Sequence, residues 1–236
     1  MTQSLGALIT ADELVAAGHD EVILATGVEP RTPVIDGIDH PKVVGYQQVI
    51  TGEVQVGERV AVIGAGGIGF DVSEFLTHDA AHPSLALDLP AWQKEWGVTD
   101  PEEADGGLTR GEHPVSPRQV YLLQRKTTKV GGGLGKTSGW VHRAALQHRA
   151  VEMIAGASYT RIDDDGLHFS VDGEEGTRVI DVDHVVICAG QEPRRDLHDA
   201  LVAAGVTTHL VGGADVAAEL DAKRAIQQAS ELAATL

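Results

Sequence analysis

The residues of this chain with the most definite chemistry are glycines. Gly64-Ala65-Gly66-Gly67-Ile68-Gly69 follows the apolar run Arg59-Val60-Ala61-Val62-Ile63 and leads into FDVSEFLTH at residues 70–78. GxGxxG alone is a weak signal, but a strand before it and a helix after it are what dinucleotide binding requires. Gly64 permits the tight turn, and Gly66 removes the side chain that would block a pyrophosphate. Gly69 lets helix and strand pack closely, and the helix N-terminus faces the phosphates. Gly67 lies at the same turn and belongs to the same set.

The choice of nicotinamide dinucleotide rests on the end of the next strand, where an acid suits a free ribose and cations suit a 2′-phosphate. Two segments compete. Leu85-Ala86-Leu87-Asp88 has the spacing for an acid, but it is short and bounded by Pro83 and Pro90. Gln119-Val120-Tyr121-Leu122-Leu123 is the better strand and runs on to Arg125 and Lys126. The second is preferred, and with it NADPH; solvated surface charge is the plain alternative for both cations.

Other groups carry less. Gly131–Thr137 reads GGGLGKT, close to a phosphate loop, but Val130 stands where the first glycine of that motif belongs. Its amides and Lys136 can meet a phosphate before the following helix, or the stretch is a plain loop. Gly212-Gly213-Ala214-Asp215 offers an acid and a helix start to a flavin's pyrophosphate or ribityl chain, with a capped turn as the alternative. Cys188 sits in an apolar strand and reads as inert core. His142 and His148 have no ligand partners at metal spacing and read as surface histidines.

The elements that position these residues follow from an internal repeat. DEVILATGVEPR at 20–31 and DHVVICAGQEPR at 183–194 agree at six of twelve positions. Each is a buried-strand run, a small-residue turn and a Glu-Pro-Arg exit. Two related nucleotide-binding units are therefore expected, yet only one glycine fingerprint is present. The fold class expected is α/β: a Rossmann-like three-layer nucleotide-binding domain with a β-meander, inserted in a partial second domain of FAD type. Residues 1–54 form the first part of that partial domain, 55–189 the NADPH-binding domain with an insertion at 78–117, and 190–236 the returning segment. Strands are expected at 151–154, 158–162, 167–171, 178–180 and 185–188, with helices at about 138–148 and 217–235.

The 236 residues are 42% hydrophobic, enough for a core of one large or two small domains. A net charge of −17 argues against nucleic acid or an anionic membrane as partner. No leader pattern or long apolar run is present, so the location expected is cytoplasmic. The single cysteine excludes an intrachain disulfide and a cluster ligated by this chain alone.

At the level of whole strings, the chain resembles the C-terminal portion of the bacterial NADPH-dependent 2,4-dienoyl-CoA reductase family of iron–sulfur flavoproteins. The strings are DEVILATGVEPRTPVIDGIDHPKVV, VAVIGAGGIGFD, SPRQVYLLQRK, GLGKTSGWVHR, YTRIDDDGLH, VVICAGQEPRRDL and GGADVAAELDAKRAIQQ, spread over nearly the whole chain. The resemblance implies NADPH at Gly64, Gly66, Gly69, Arg125 and Lys126. It implies FAD near Thr26, Gly27, Gly212, Gly213 and Asp215, with Gln191 and Glu192 where the two cofactors approach. FMN, a 4Fe–4S cluster and the dienoyl-CoA site belong to family parts that this chain lacks, as does the FAD fingerprint. The partners implied are that remaining half and the dinucleotides, with self-association through an exposed sheet edge. A stand-alone NADPH:flavin reductase and a non-catalytic NADPH-sensing protein are the rival readings.

Overall fold

The computed structural model describes residues 2–79, 87–218 and 221–236. In chain order its elements are α1 (Ala11–Ala17), β1 (Glu21–Leu24), β2 (Val28–Pro30), β3 (Val43–Gly45), α2 (Tyr46–Ile50), β4 (Arg59–Ile63), α3 (Gly67–Thr77), α4 (Leu89–Trp96), β5 (Gln119–Leu123), α5 (Gly139–His148), β6 (Glu152–Ile154), β7 (Ala157–Asp163), β8 (Gly166–Val171), β9 (Arg178–Ile180), β10 (His184–Ile187), β11 (Gln191–Pro193), α6 (His198–Ala203), β12 (Thr207–Leu210) and α7 (Ala222–Ala233). They form two units, Thr32–Ala189 and the discontinuous pair Met1–Arg31 with Gly190–Leu236. None of the described helices is long and apolar enough to cross a membrane.

The contiguous unit is an α/β fold built on a parallel sheet ordered β3-β10-β4-β5-β6. Its strands are apolar at successive positions because both faces are covered. Val60 and Val62 of β4, Val120 and Leu122 of β5 and Val186 of β10 meet Phe70, Val72, Leu76 and Leu146 from α3 and α5. The alternate residues, Ala61, Ile63, Leu123, Val185 and Ile187, meet Ile162, Leu167 and Phe169 of the antiparallel sheet β7-β8-β9. Period-two alternation thus makes three layers: helices, parallel sheet and meander. At the start of β4, Arg59 Nη2 donates to Asp183 Oδ1 at 2.8 Å, and Arg59 also pairs with Asp181. The guanidinium holds the Asp183 carboxyl below the usual carboxylate range.

The sequence places a boundary near residue 54, but residues 32–54 go with the contiguous unit. Val43–Gly45 pairs in parallel with β10, and Val44 and Val49 enter the core. Three residues are too short a run to register as a strand by periodicity. Leu85 and Ala86 of the competing strand lie outside the described residues, while Asp88 caps α4, its Oδ1 accepting from the amide of Ala91 at 3.1 Å. The last helix starts later than expected, at Ala222 behind the cap Asp221. Cys188 follows β10 instead of lying within it; it is buried, and burial pushes its thiol up to about 12.

Residues 87–117 fold over the far ends of α3 and α5. Gly97 ends α4 with φ of 65°, where a Cβ would fall 2.3 Å from the carbonyl of Thr109. Glu95 and Arg149 form an ion pair, Oε1 to Nη2 at 3.1 Å, with both side chains only 4% exposed. His148 stacks on His113, centroids 3.7 Å apart, with Trp96 at 5.3 Å. His148 is thus half-buried in a ring stack instead of lying free on the surface, and partial burial, then the neighbouring His113, pushes its pKa down. His142 is half-buried, 3.6 Å from Glu74.

The discontinuous unit pairs β1 with β12 in parallel over a small core of Val22, Leu24 and Leu201. It also holds the two exits of the repeat against each other. β2 and β11 pair antiparallel with Glu29 opposite Glu192. The amide of Arg31 donates to Gly190 at 3.0 Å, and that of Arg194 to Gly27 at 3.1 Å. Equivalent positions exchange equivalent bonds, so the repeats meet about a local pseudo-twofold axis.

Two outcomes follow. Arg149→Met leaves the buried Glu95 carboxylate without its partner and is expected to cost about 3–5 kcal/mol in chemical denaturation, with Arg149→Met/Glu95→Leu recovering much of the loss. Because folding favours neutral His148, the unfolded chain takes up that proton at higher pH, so stability is lost as pH falls below the ordinary histidine value of 6.5. His148→Phe keeps an aromatic stack without the titration. Its melting temperature is expected to fall less than that of the wild type between about pH 7.5 and pH 5.

Candidate functional site

After β4 the chain runs through α3 to β5 and β6 on one side and returns as β10 on the other. The sheet order thus reverses beside β4, the kind of switch point at whose carboxyl edge open α/β sheets bind ligands. Gly64 lies at this edge with φ of 112°, its amide donating to Leu123 at 2.9 Å. A Cβ there would stand 2.3 Å from the Cys188 carbonyl oxygen, and one on Gly69 would stand 1.7 Å from that of Gly64. Only glycine fits at either position. Gly66 and Gly67 are the opposite case: both are exposed, and a Cβ on either meets nothing within 4 Å. Gly66 is the N-cap of α3 with no side-chain cap, so the first-turn amides face open space. The turn is packed on its protein side and bare on its solvent side, the shape an anion needs to reach those amides.

Arg125 and Lys126 stand beyond β5 at the same edge, both exposed. They begin a run, residues 124–138, that also holds Lys129 and Lys136 and contains no acid, in a chain of net charge −17. Lys129 is a cation that motif reading passed over. The Gly131–Thr137 stretch is tied down: Arg143 Nη1 donates to the Gly131 carbonyl at 2.9 Å, and a Cβ on Gly131 would strike the Phe70 ring at 2.5 Å.

In the discontinuous unit, the parallel pairing of β1 and β12 puts Thr26 and Gly27 at the same edge as Gly212, Gly213 and Asp215. Thr26 donates to the Arg194 carbonyl, and Gly213 is buried. Asp215 Oδ2 accepts from Gln228 Nε2 at 2.7 Å, and the amide of Gly212 donates to Gln228 Oε1 at 2.7 Å. Gln228 sits on α7, where no motif marks it. Gln191 and Glu192 lie in β11, paired with β2.

Two further features lie elsewhere in the contiguous unit. A cavity of about 610 Å³ is lined by Thr77, Lys94, Glu95, His113 and Arg149, beside the far end of α3. Eleven helical residues separate it from the glycine turn, roughly 16 Å at 1.5 Å per residue. Asp163, Asp165 and His168 cluster at the β7–β8 turn. There Asp163 already accepts from His168 at 2.8 Å, from Arg161 at 2.7 Å and from the Asp165 amide at 3.0 Å. The guanidinium opposes a metal cation, and the His168 hydrogen bond leads the causes that lower the Asp163 pKa.

This arrangement has known relatives. The model of the family described as pyridine nucleotide-disulphide oxidoreductase matches residues 7–224. The chain belongs to that family. A pyridine nucleotide-disulphide oxidoreductase of this kind is expected to carry FAD and a nicotinamide dinucleotide. The cinnamate reductase of Clostridium sporogenes is 26% identical over 198 residues, covering 84% of this chain and 24% of that protein. The metal reductase of Desulforamulus reducens is 21% identical over 182 residues, covering 77% and 26%. The chain thus spans about a quarter of the length of these curated relatives. Among solved structures, a 2-naphthoyl-CoA reductase complex superposes with a TM-score of 0.71 at 20% identity, covering 97% of this chain and 28% of that one. The 6-hydroxypseudooxynicotine amine oxidase of Pseudomonas geniculata also reaches 0.71, at 16% identity, covering 96% and 30%. At these identities the superpositions establish a shared fold.

The glycine geometry separates two kinds of substitution. Gly66→Val fills space open in the free protein, so the variant is expected to keep its melting temperature within a few degrees and to lose dinucleotide binding. Gly69→Ala, which presses α3 off β4, is expected to lower the melting temperature as well. Thermal melts alongside calorimetric titration distinguish the two; an unstable Gly66→Val or a stable Gly69→Ala contradicts the assignment.

Proposed function

We propose that this chain is the NADPH-binding, electron-entry portion of a flavin-dependent oxidoreductase whose full form reduces a carbon–carbon double bond conjugated to an acyl-CoA carbonyl. A 2,4-dienoyl-CoA is the specific substrate we favour. The observation that carries the nucleotide reading is the pairing of a bare glycine turn with an acid-free cationic run at the same sheet edge. The family string resemblance supports the substrate, as does the presence of a reductase of 2-naphthoyl-CoA among the structural neighbours. That substrate would be handled outside this chain, and no residue here is assigned to it.

The residues present fit a dinucleotide. The amides at Gly66 and Gly67 would take the pyrophosphate, Gly64 would let the backbone come close, and Arg125 with Lys126 would hold a 2′-phosphate. When bound, NADPH supplies a hydride that FAD accepts. Thr26, Gly27, Gly213 and Asp215 would line the flavin side, and Gln191 and Glu192 would also bind cofactor. The flavin site would be partial, a reading that the comparison of the two repeat strands supports. β10 has β4 with its fingerprint on one side, while the equivalent strand β1 pairs, among the described residues, with β12 alone. A further strand with its own glycine turn would come from sequence outside this chain, and the same free edge would favour self-association. The 4Fe–4S cluster of the resembling family does not fit here: the one cysteine is buried and held as a thiol. A cytoplasmic location belongs to the same proposal.

Calorimetric titration of the flavin-free chain tests this. NADPH is expected to bind about 10- to 100-fold more tightly than NADH, the span of one or two charge-assisted contacts, with Arg125→Ala closing most of that gap. Equal affinity for the two nucleotides, or tight binding of FAD alone, would overturn the reading.

A further inference from the structure

The cations after β5 are exposed, yet their backbone is held firmly, and the group that holds it is uncharged. Gln124 extends the strand ladder by one residue: its amide donates to Ile154 at 2.9 Å, and its carbonyl accepts from Ala157 at 2.9 Å. Its side chain turns forward along the loop. Nε2 donates to the carbonyl of Lys126 at 2.9 Å and to that of Thr128 at 2.6 Å. The Lys126 carbonyl accepts a second bond, from the amide of Gly156 at 2.9 Å. Gly156 has φ of 70°, and a Cβ there would lie 3.1 Å from Asp172 Cβ and 3.5 Å from Thr127 Cγ2. Residues 125–128 are thus wound around one primary amide and pinned from the far side by a glycine. Their side chains are left pointing outward.

We propose that Gln124 is a positioning residue for dinucleotide selectivity: by tying the Lys126 and Thr128 carbonyls it presets Arg125 and Lys126 for a 2′-phosphate. The inference rests on the nucleotide reading above and deepens it. The physical basis is preorganisation. A loop free to rearrange must be ordered when the phosphate binds, and that entropy is drawn from the affinity. A loop already closed by two hydrogen bonds to one side chain has lost most of that freedom beforehand. The effect falls on ligands that use the cations, so a nucleotide lacking the 2′-phosphate is indifferent to it.

The test uses the full chain with two probes, adenosine 2′,5′-bisphosphate and 5′-AMP, titrated by calorimetry against wild type, Gln124→Ala, Gly156→Ala and Arg125→Ala. Gln124→Ala is expected to weaken the bisphosphate about tenfold, the equivalent of one or two net hydrogen bonds, and to leave 5′-AMP within about twofold. Gly156→Ala loosens the loop from its other side and must move the ratio in the same direction, which keeps the test valid if Gln124→Ala folds poorly. If Arg125→Ala removes discrimination while Gln124→Ala and Gly156→Ala retain it, the positioning role is wrong and the nucleotide reading stands. Equal weakening of both probes by Gln124→Ala also overturns the positioning role, because it marks a merely structural residue. If wild type shows no preference for the bisphosphate, or binds neither probe, the nucleotide reading fails and this inference with it.

Discussion

The contiguous unit depends on how closely one helix lies against one strand. A Cβ on Gly69 would fall 1.7 Å from the carbonyl oxygen of Gly64, so α3 approaches the end of β4 with no room for any side chain between them. From that contact the remaining layout follows. α3 is brought down on one face of the sheet, Phe70, Val72 and Leu76 reach the valines of β4 and β5, and the helix start is left uncovered at the carboxyl edge. Gly66, between the two packing glycines, caps the helix without a side chain and leaves the start of α3 open. Stability and binding are thus set by neighbouring positions of one turn, with opposite demands: Gly64 and Gly69 must be glycine because space is full, Gly66 because space is empty.

A second organising feature is the repeat. Its two copies share residues, and in the structure they also share a junction, where Arg31 with Gly190 and Arg194 with Gly27 exchange matching backbone bonds. Strands β1 and β10 have equivalent sequences but different neighbours. β10 is central, flanked by β3 and β4, whereas β1 pairs with β12. A four-residue parallel pair buries little by itself, and parallel sheets are stable when covered and extended. The asymmetry between two otherwise matched strands agrees with a chain that spans about a quarter of its curated relatives.

Much of this was legible from residue patterns, and the exceptions share a cause. β4, β5 and β9 occupy the expected residues because apolar runs bounded by turn formers carry a local signal. β3 was invisible: three residues with two valines have no period, and their strand state comes from β10, some 140 positions away in sequence. The stacking of His148 likewise depends on Trp96 and His113, contributed by a separate segment, and no spacing rule links them. At the candidate site the glycines and the pair Arg125–Lys126 were readable because their chemistry is intrinsic to residue type. Gln124 was not. A glutamine at a strand end carries no signal until the carbonyls it binds are known.

The discontinuity of the first unit bears on the order in which the molecule takes shape during synthesis. Residues 32–189 are continuous and can close their sheet as soon as β10 has left the ribosome. The segment before Thr32 must wait, since within this chain β1 pairs only once β12 is made, and at roughly 5–20 residues per second that delay is on the order of ten seconds or more. During it, β1 leaves uncovered the backbone edge that β12 later pairs with. The antiparallel pairing of β2 with β11 comes first in that sequence of events, because Gln191–Pro193 emerges before Thr207–Leu210. Folding of the intervening unit by then replaces a long flexible loop with a compact body, which lowers the entropic penalty of bringing the two repeat exits together. The junction between the repeats therefore acts as a basting stitch, holding the early piece in register until the late strand arrives.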